Sequence, residues 1–175
     1  MITRLLQTAL LIGIVGQANG QRIARPDVPE KIKAPAGEEV VLQVHASGSQ
    51  IYMCQAGTDG KFAWTLKAPE AELRDKQGAM VCRHYAGPTW KLNDGSEVTG
   101  KAVARADLPD SQSIPWLLVT ATGHSGDGLL SRVTSIQRIH TKGGRPPPGN
   151  CNVSRQNVEI KSSYTADYYF YAPAR

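Results

Sequence analysis

After the first twenty residues, apolar positions fall into short runs that read as strands almost throughout. The cleanest is "KFAWTLK", where Phe62, Trp64 and Leu66 point one way and Lys61, Thr65 and Lys67 the other. That period of two is the signature of a half-buried strand. "EVVLQVHA", "QIYMC" after a Ser/Gly turn, "AMVCRHY", "TWKL", "SEVTGKAVA" and "IPWLLVTAT" are further strand candidates. "APEAEL" reads as a turn or a short helical piece, and "TKGGRPPPG" as a loop. In "LLSRVTSIQRIH" (129–140) helical and strand spacings compete, and Val133, Thr134, Ile136 and Ile139 favour strand through their β-branching. "VEIK" and "YTADYYFYA" close the chain; in the latter Tyr164, Ala166, Tyr168 and Phe170 alternate with Thr165, Asp167, Tyr169 and Tyr171. The expectation for the second set is an exposed face, with Asp167 pairing to Arg138 or Arg83.

Asp94-Gly95 in "KLNDGSEV" accepts the positive φ angles of a tight hairpin turn, with Trp90 and Leu92 sharing one face of the incoming strand. The Gly87-Pro88 break before Trp90 turns the chain, so His84 and Trp90 can approach each other from adjacent strands.

The N-terminus follows a different pattern. Arg4 precedes the mostly apolar run "LLQTALLIGIVG", too short to span a bilayer, which takes about 20 residues. "QANG" then offers Ala18 and Gly20 as the small residues of a cleavage site, so residues 1–20 are expected to be a removed export signal. Residues 21–34 form a proline-containing entry segment, and 35–175 one domain. No later segment is long and apolar enough to be a transmembrane helix. The net charge of +5 is spread among acidic residues with no cationic run, which argues against a nucleic-acid partner.

Export turns Cys54, Cys82 and Cys151 into a disulfide question with three possible single bridges. Cys82 lies in an apolar-looking segment and is expected to be a buried free thiol. "GHSGD" at 123–127 fails as a nucleophile elbow because Asp127 replaces the second glycine. His45, His84, His124 and His140 show no metal-ligand spacing, and no dinucleotide or phosphate cradle is present, so no metal and no cofactor are expected. Asn152-Val153-Ser154 is a glycosylation sequon, relevant only in a eukaryotic source. Tryptophan and tyrosine combine contact area with a polar handle, which suits glycan or small-molecule binding; Trp64 and Trp116 read as core.

Seven pieces between about Pro35 and Pro173 carry a resemblance: "QIYMC", Trp64 before "APEAEL", "HYAGPTW" with "DGSEVTG", "IPWLLV", "VTSIQRIHTKGG", Cys151 and "YTADYYFY". Together they resemble the exported proteins of domain-of-unknown-function family 3455. The family pattern often has asparagine where this chain has His140, which implies that His140 is no shared metal ligand. Cys54 and Cys151 match the family and Cys82 does not, so the resemblance implies a Cys54–Cys151 bridge with Cys82 free. A loop of that length is worth roughly 4 to 5 kcal/mol in the chain-entropy model.

The expected fold is all-β, a single-domain sandwich or flattened barrel of roughly eight to ten short, mostly antiparallel strands. The expected function is a secreted or periplasmic, non-catalytic binding module for a small molecule or envelope glycan. An enzyme with a hydrolytic or metal-assisted site around His84, and a structural envelope protein without ligand, are the alternatives. His84 and Trp90 are expected to line one concave site, with Tyr52 and Tyr168 as neighbours. Burial against the indole should depress the His84 pKa. His84→Ala and Trp90→Ala should then weaken ligand binding while leaving the thermal midpoint nearly unchanged.

Overall fold

The structure is a computed structural model that describes residues 22–109 and 112–174. The expected export signal at 1–20 lies outside the described residues. Eight strands follow one another: β1 (Glu38–Ala56), β2 (Phe62–Arg74), β3 (Met80–Tyr85), β4 (Thr89–Leu92), β5 (Glu97–Ala106), β6 (Trp116–Ser125), β7 (Ser135–Gly143) and β8 (Glu159–Pro173). Each pairs antiparallel with the next, and β8 pairs antiparallel with β1, so one sheet closes into a ring. Closure removes the exposed sheet edges that would otherwise invite further pairing. The all-β expectation holds, on its barrel side rather than as two packed sheets.

Two local expectations fail and a third holds in part. No turn interrupts β1 at Ser47-Gly48-Ser49; the strand runs through them. Gly48 is there because of close approach: a Cβ would stand 2.1 Å from the Glu70 carbonyl oxygen and 2.5 Å from the Ala71 Cα. "APEAEL" is neither turn nor helix but the second half of β2, where Ala71 and Leu73 face inward opposite β3. The 129–140 segment divides, a 3-10 turn at Leu129–Arg132 preceding β7.

The strands separate two apolar clusters. Inside the ring, Val44, Ala46, Leu73, Cys82, Val98, Ile136 and Phe170 belong to one buried core. Outside it, Val28, Ile32 and Ala34 of the entry segment pack on Val40, Ala106, Ile139, Tyr169 and Tyr171. Gln137 Nε2 donates to the Ile32 carbonyl at 2.6 Å, and the Tyr171 hydroxyl donates to Gln137 Oε1. The outer face of β8 is therefore covered around Tyr169 and Tyr171, not exposed as its polar atoms suggest.

Cys54, near the end of β1, is bridged to Cys151 in the loop before β8, with Cα atoms 5.4 Å apart. Cys82 is a buried free thiol, and burial pushes its pKa up to about 12. A disulfide is consistent with an exported protein. No helix among the described residues is long and apolar enough to cross a membrane.

Candidate functional site

One half of the ring interior is packed and the other is not. Ala68, Gly87, Gly100 and Ala102 bring little or no side chain to the unpacked half, which leaves a cavity of about 680 Å³. Ligand pockets commonly occupy roughly 300–1,000 Å³. All eight strands contribute to the lining. A second cavity of about 440 Å³ adjoins it and shares Gln50, Leu66, Ala102, Leu117 and Arg138. Leu66 is 53% exposed, an apolar side chain at the rim of both.

An aromatic layer separates the packed half from the cavity. His84 on β3 and Trp90 on β4 are direct cross-strand partners. Their rings stack at 4.3 Å between centroids and 7° between planes. Tyr168 on β8 meets them edge-on, at 5.5 Å from His84 and 5.8 Å from Trp90. Trp90 in turn abuts Phe170 of the core at 6.2 Å. His84 Nδ1–H donates to the Thr89 carbonyl at 2.8 Å, which assigns the neutral tautomer. Burial drives the His84 pKa down to about 3; the Thr89 bond opposes that shift and the positive charge of Arg138 adds to it.

Of the four residues singled out in the sequence, His84, Trp90 and Tyr168 therefore meet on one wall. Tyr52 does not join them. It lines the adjoining cavity, where its hydroxyl donates to the Gly144 carbonyl at 2.8 Å. Trp90 is only 2% exposed and belongs to the core cluster. Its truncation must therefore cost stability, about 3 to 5 kcal/mol for a buried aromatic, contrary to the expectation of an unchanged midpoint.

Two cavity residues escape a sequence reading. Arg138 lies in phase with Ile136 on β7 and lines both cavities. Its Nη2 donates to the Pro115 carbonyl at 2.9 Å, while Nε is buried without an acceptor. Gln50 is 2% exposed, and its Nε2 also lacks an acceptor. The available signal was an arginine at a core-phase position of a strand.

The expected pairing of Asp167 with Arg138 or Arg83 is not made. Arg138 turns into the ring, whereas Asp167 faces outward and accepts from His45 Nδ1 at 2.7 Å and His140 Nδ1 at 2.8 Å. Trp116 packs edge-on to His140 at 5.2 Å on the same outer side. Trp64 is half-buried rather than core, its indole donating to the Gly149 carbonyl at 2.9 Å. Among the described residues, no group of three or more His, Cys, Asp or Glu side chains is placed to hold a metal ion. His124 of the "GHSGD" loop is bonded to the Val133 carbonyl at 2.7 Å.

Fold and cavity together define a class: an antiparallel eight-stranded ring, joined by a disulfide, around an aromatic-walled compartment. Within that class the chain belongs to the family described as protein of unknown function (DUF3455), whose model matches residues 35–172. Neither a curated protein nor a solved structure matches the chain.

Proposed function

We propose that the protein is an exported, non-catalytic binding module that holds a small molecule inside its ring. The observation that carries this reading is the 680 Å³ compartment itself, walled by the His84–Trp90–Tyr168 layer and entered past Leu66. Eight-stranded barrels have interiors just wide enough either to be filled by side chains or to hold one small ligand. Here glycines and alanines stand where filling side chains would be. A compartment of this volume suits a small molecule. The enzyme alternative is disfavoured by His84. A general base works best with a pKa near the operating pH, and this imidazole is lowered to about 3 with Nδ1 already engaged.

N-phenyl-1-naphthylamine, an uncharged probe that brightens in apolar surroundings, tests the reading. Saturable 1:1 uptake is expected. Leu117→Trp, which places an indole where the two cavities join, should abolish uptake while the protein stays folded by near-UV circular dichroism. Absence of saturable uptake, or uptake indifferent to the filled cavity, would overturn it.

A further inference from the structure

Among the described residues, four buried side-chain nitrogens lack a hydrogen-bond acceptor: Gln50 Nε2, Trp90 Nε1, Arg138 Nε and Trp116 Nε1. Three of the four residues, Gln50, Trp90 and Arg138, line the large cavity; Trp116 lies on the outer side. All three unsatisfied atoms are donors. Buried polar groups in native proteins are nearly always paired, so these covered donors leave the wall of the compartment short of acceptors.

Charge points the same way. Arg138 is partly buried, permanently cationic and without a carboxylate partner among the described residues. No aspartate or glutamate lines either cavity, whereas Lys67, Lys101 and Arg105 stand around them. The guanidinium is close enough to matter electrostatically to Tyr52, His84, Tyr164 and Tyr168. A buried charge is ordinarily paired or coordinated, and an arginine fork matches a carboxylate in particular. The remaining wall is apolar: Leu66, Ala68, Ala102, Leu117 and Val119.

We infer that the ligand is an apolar organic acid, its carboxylate held by Arg138 and Gln50 where the two cavities join and its apolar body lying along the Leu66–Leu117–Trp90 wall. This inference rests on the binding-module reading above and specifies its ligand class. An oxyanion accepts from several donors at once, and it neutralises the partly buried Arg138. The body is either an acyl chain or a fused ring; the anionic head is common to both.

The test is displacement of N-phenyl-1-naphthylamine at pH 7.5 by matched pairs, decanoate against 1-decanol and 2-naphthoate against 2-naphthalenemethanol. Each acid is expected to compete at least ten-fold better than its alcohol in one pair or both, and the pair that responds identifies chain or ring. Arg138→Gln should bring the ratio to within about two-fold by weakening the acids. Arg138→Lys, which keeps the charge but loses the fork, should retain part of the preference. If both alcohols compete as well as their acids on the unmodified protein, the inference fails and the binding-module reading survives. If the preference persists in a folded Arg138→Gln protein, the assignment of Arg138 fails. If the probe itself shows no saturable uptake, both fall together. Should Arg138→Gln not fold, the acid-to-alcohol ratio on the unmodified protein and Gln50→Leu, expected to reduce that ratio, still decide.

Discussion

His84 is buried and its titration is displaced far below the neutral range. Its folded pKa is lowered to about 3, chiefly by burial, from the ordinary value of 6.5. Between those limits the unfolded chain binds a proton that the folded protein excludes, so stability rises with pH there. The contribution is fully present above about pH 6.5 and is lost as pH falls toward 3. At about 1.4 kcal/mol per pH unit, going from pH 7 to pH 5 should remove about 2 kcal/mol. Urea unfolding at the two values, with and without His84→Gln, measures it. The variant should flatten the pH slope whatever its own baseline stability, and an unchanged slope would refute the assignment. The His84–Trp90 pair was legible in the sequence because it depends on local information: two short strands, one break between them, and a period of two. Arg138 was not. Its strand is buried on both faces, Ile136 inward and Ile139 outward under the entry segment, so the alternation that would have marked Arg138 as interior disappears.

At the scale of elements, the sequence misled where composition contradicted packing. Residues 70–74, "EAELR", alternate with period two, yet Glu, Ala and Leu are strong helix formers. The strand wins because Ala71 and Leu73 gain burial against β1 and β3. Small side chains are needed there, since Gly48 of β1 lies directly opposite Ala71. A Cβ at Gly48 would collide with backbone, not with a movable side-chain tip. Gly48→Ala should therefore destabilise by about 1 to 3 kcal/mol, the usual range for overpacking. The neighbouring exposed Ser47→Ala should stay within about 0.5 kcal/mol. Equal denaturation midpoints for the two variants would show that Gly48 is a flexible joint after all. The Asp94 turn, in contrast, forms as its sequence indicates, and the structure adds a long-range clasp. The Asp94 carboxylate accepts from Leu129 N at 2.9 Å and from Ser96 N at 2.8 Å, and Ser96 Oγ accepts from Leu130 N at 3.0 Å. The Ser96 hydroxyl also donates to the Asp94 carboxylate at 2.6 Å, and that bond, with those from the Leu129 and Ser96 amides, holds the Asp94 pKa below its ordinary value.

For the whole molecule the decisive event is closure of the ring, because β1 and β8 lie at opposite ends of the sequence and yet pair from Glu38–Pro173 to Met53–Glu159. Bringing them together costs loop-closure entropy that no local pattern reveals, which is why the sequence left sandwich and barrel undecided. The Cys54–Cys151 bridge acts at one end of this seam, where Cys54 N also donates to the Val158 carbonyl and Asn157 N to the Cys54 carbonyl. With its ends 97 positions apart in sequence, it restricts the unfolded chain strongly; such a loop is worth roughly 4 to 5 kcal/mol in the entropic model, and losing a native bridge typically costs about 2 to 5. The double variant Cys54→Ser, Cys151→Ser should lose stability within that range by urea unfolding. Its amide exchange should accelerate first at the amides of positions 54 and 157, which make the seam bonds, while β1 near Val44 stays protected by the packed core. A loss under about 1 kcal/mol would mean that β1–β8 pairing persists in the unfolded chain without the covalent link. Cys82 provides the internal control. Fully buried, with its thiol pKa raised to about 12, it should resist thiol reagents in both proteins until the ring itself opens.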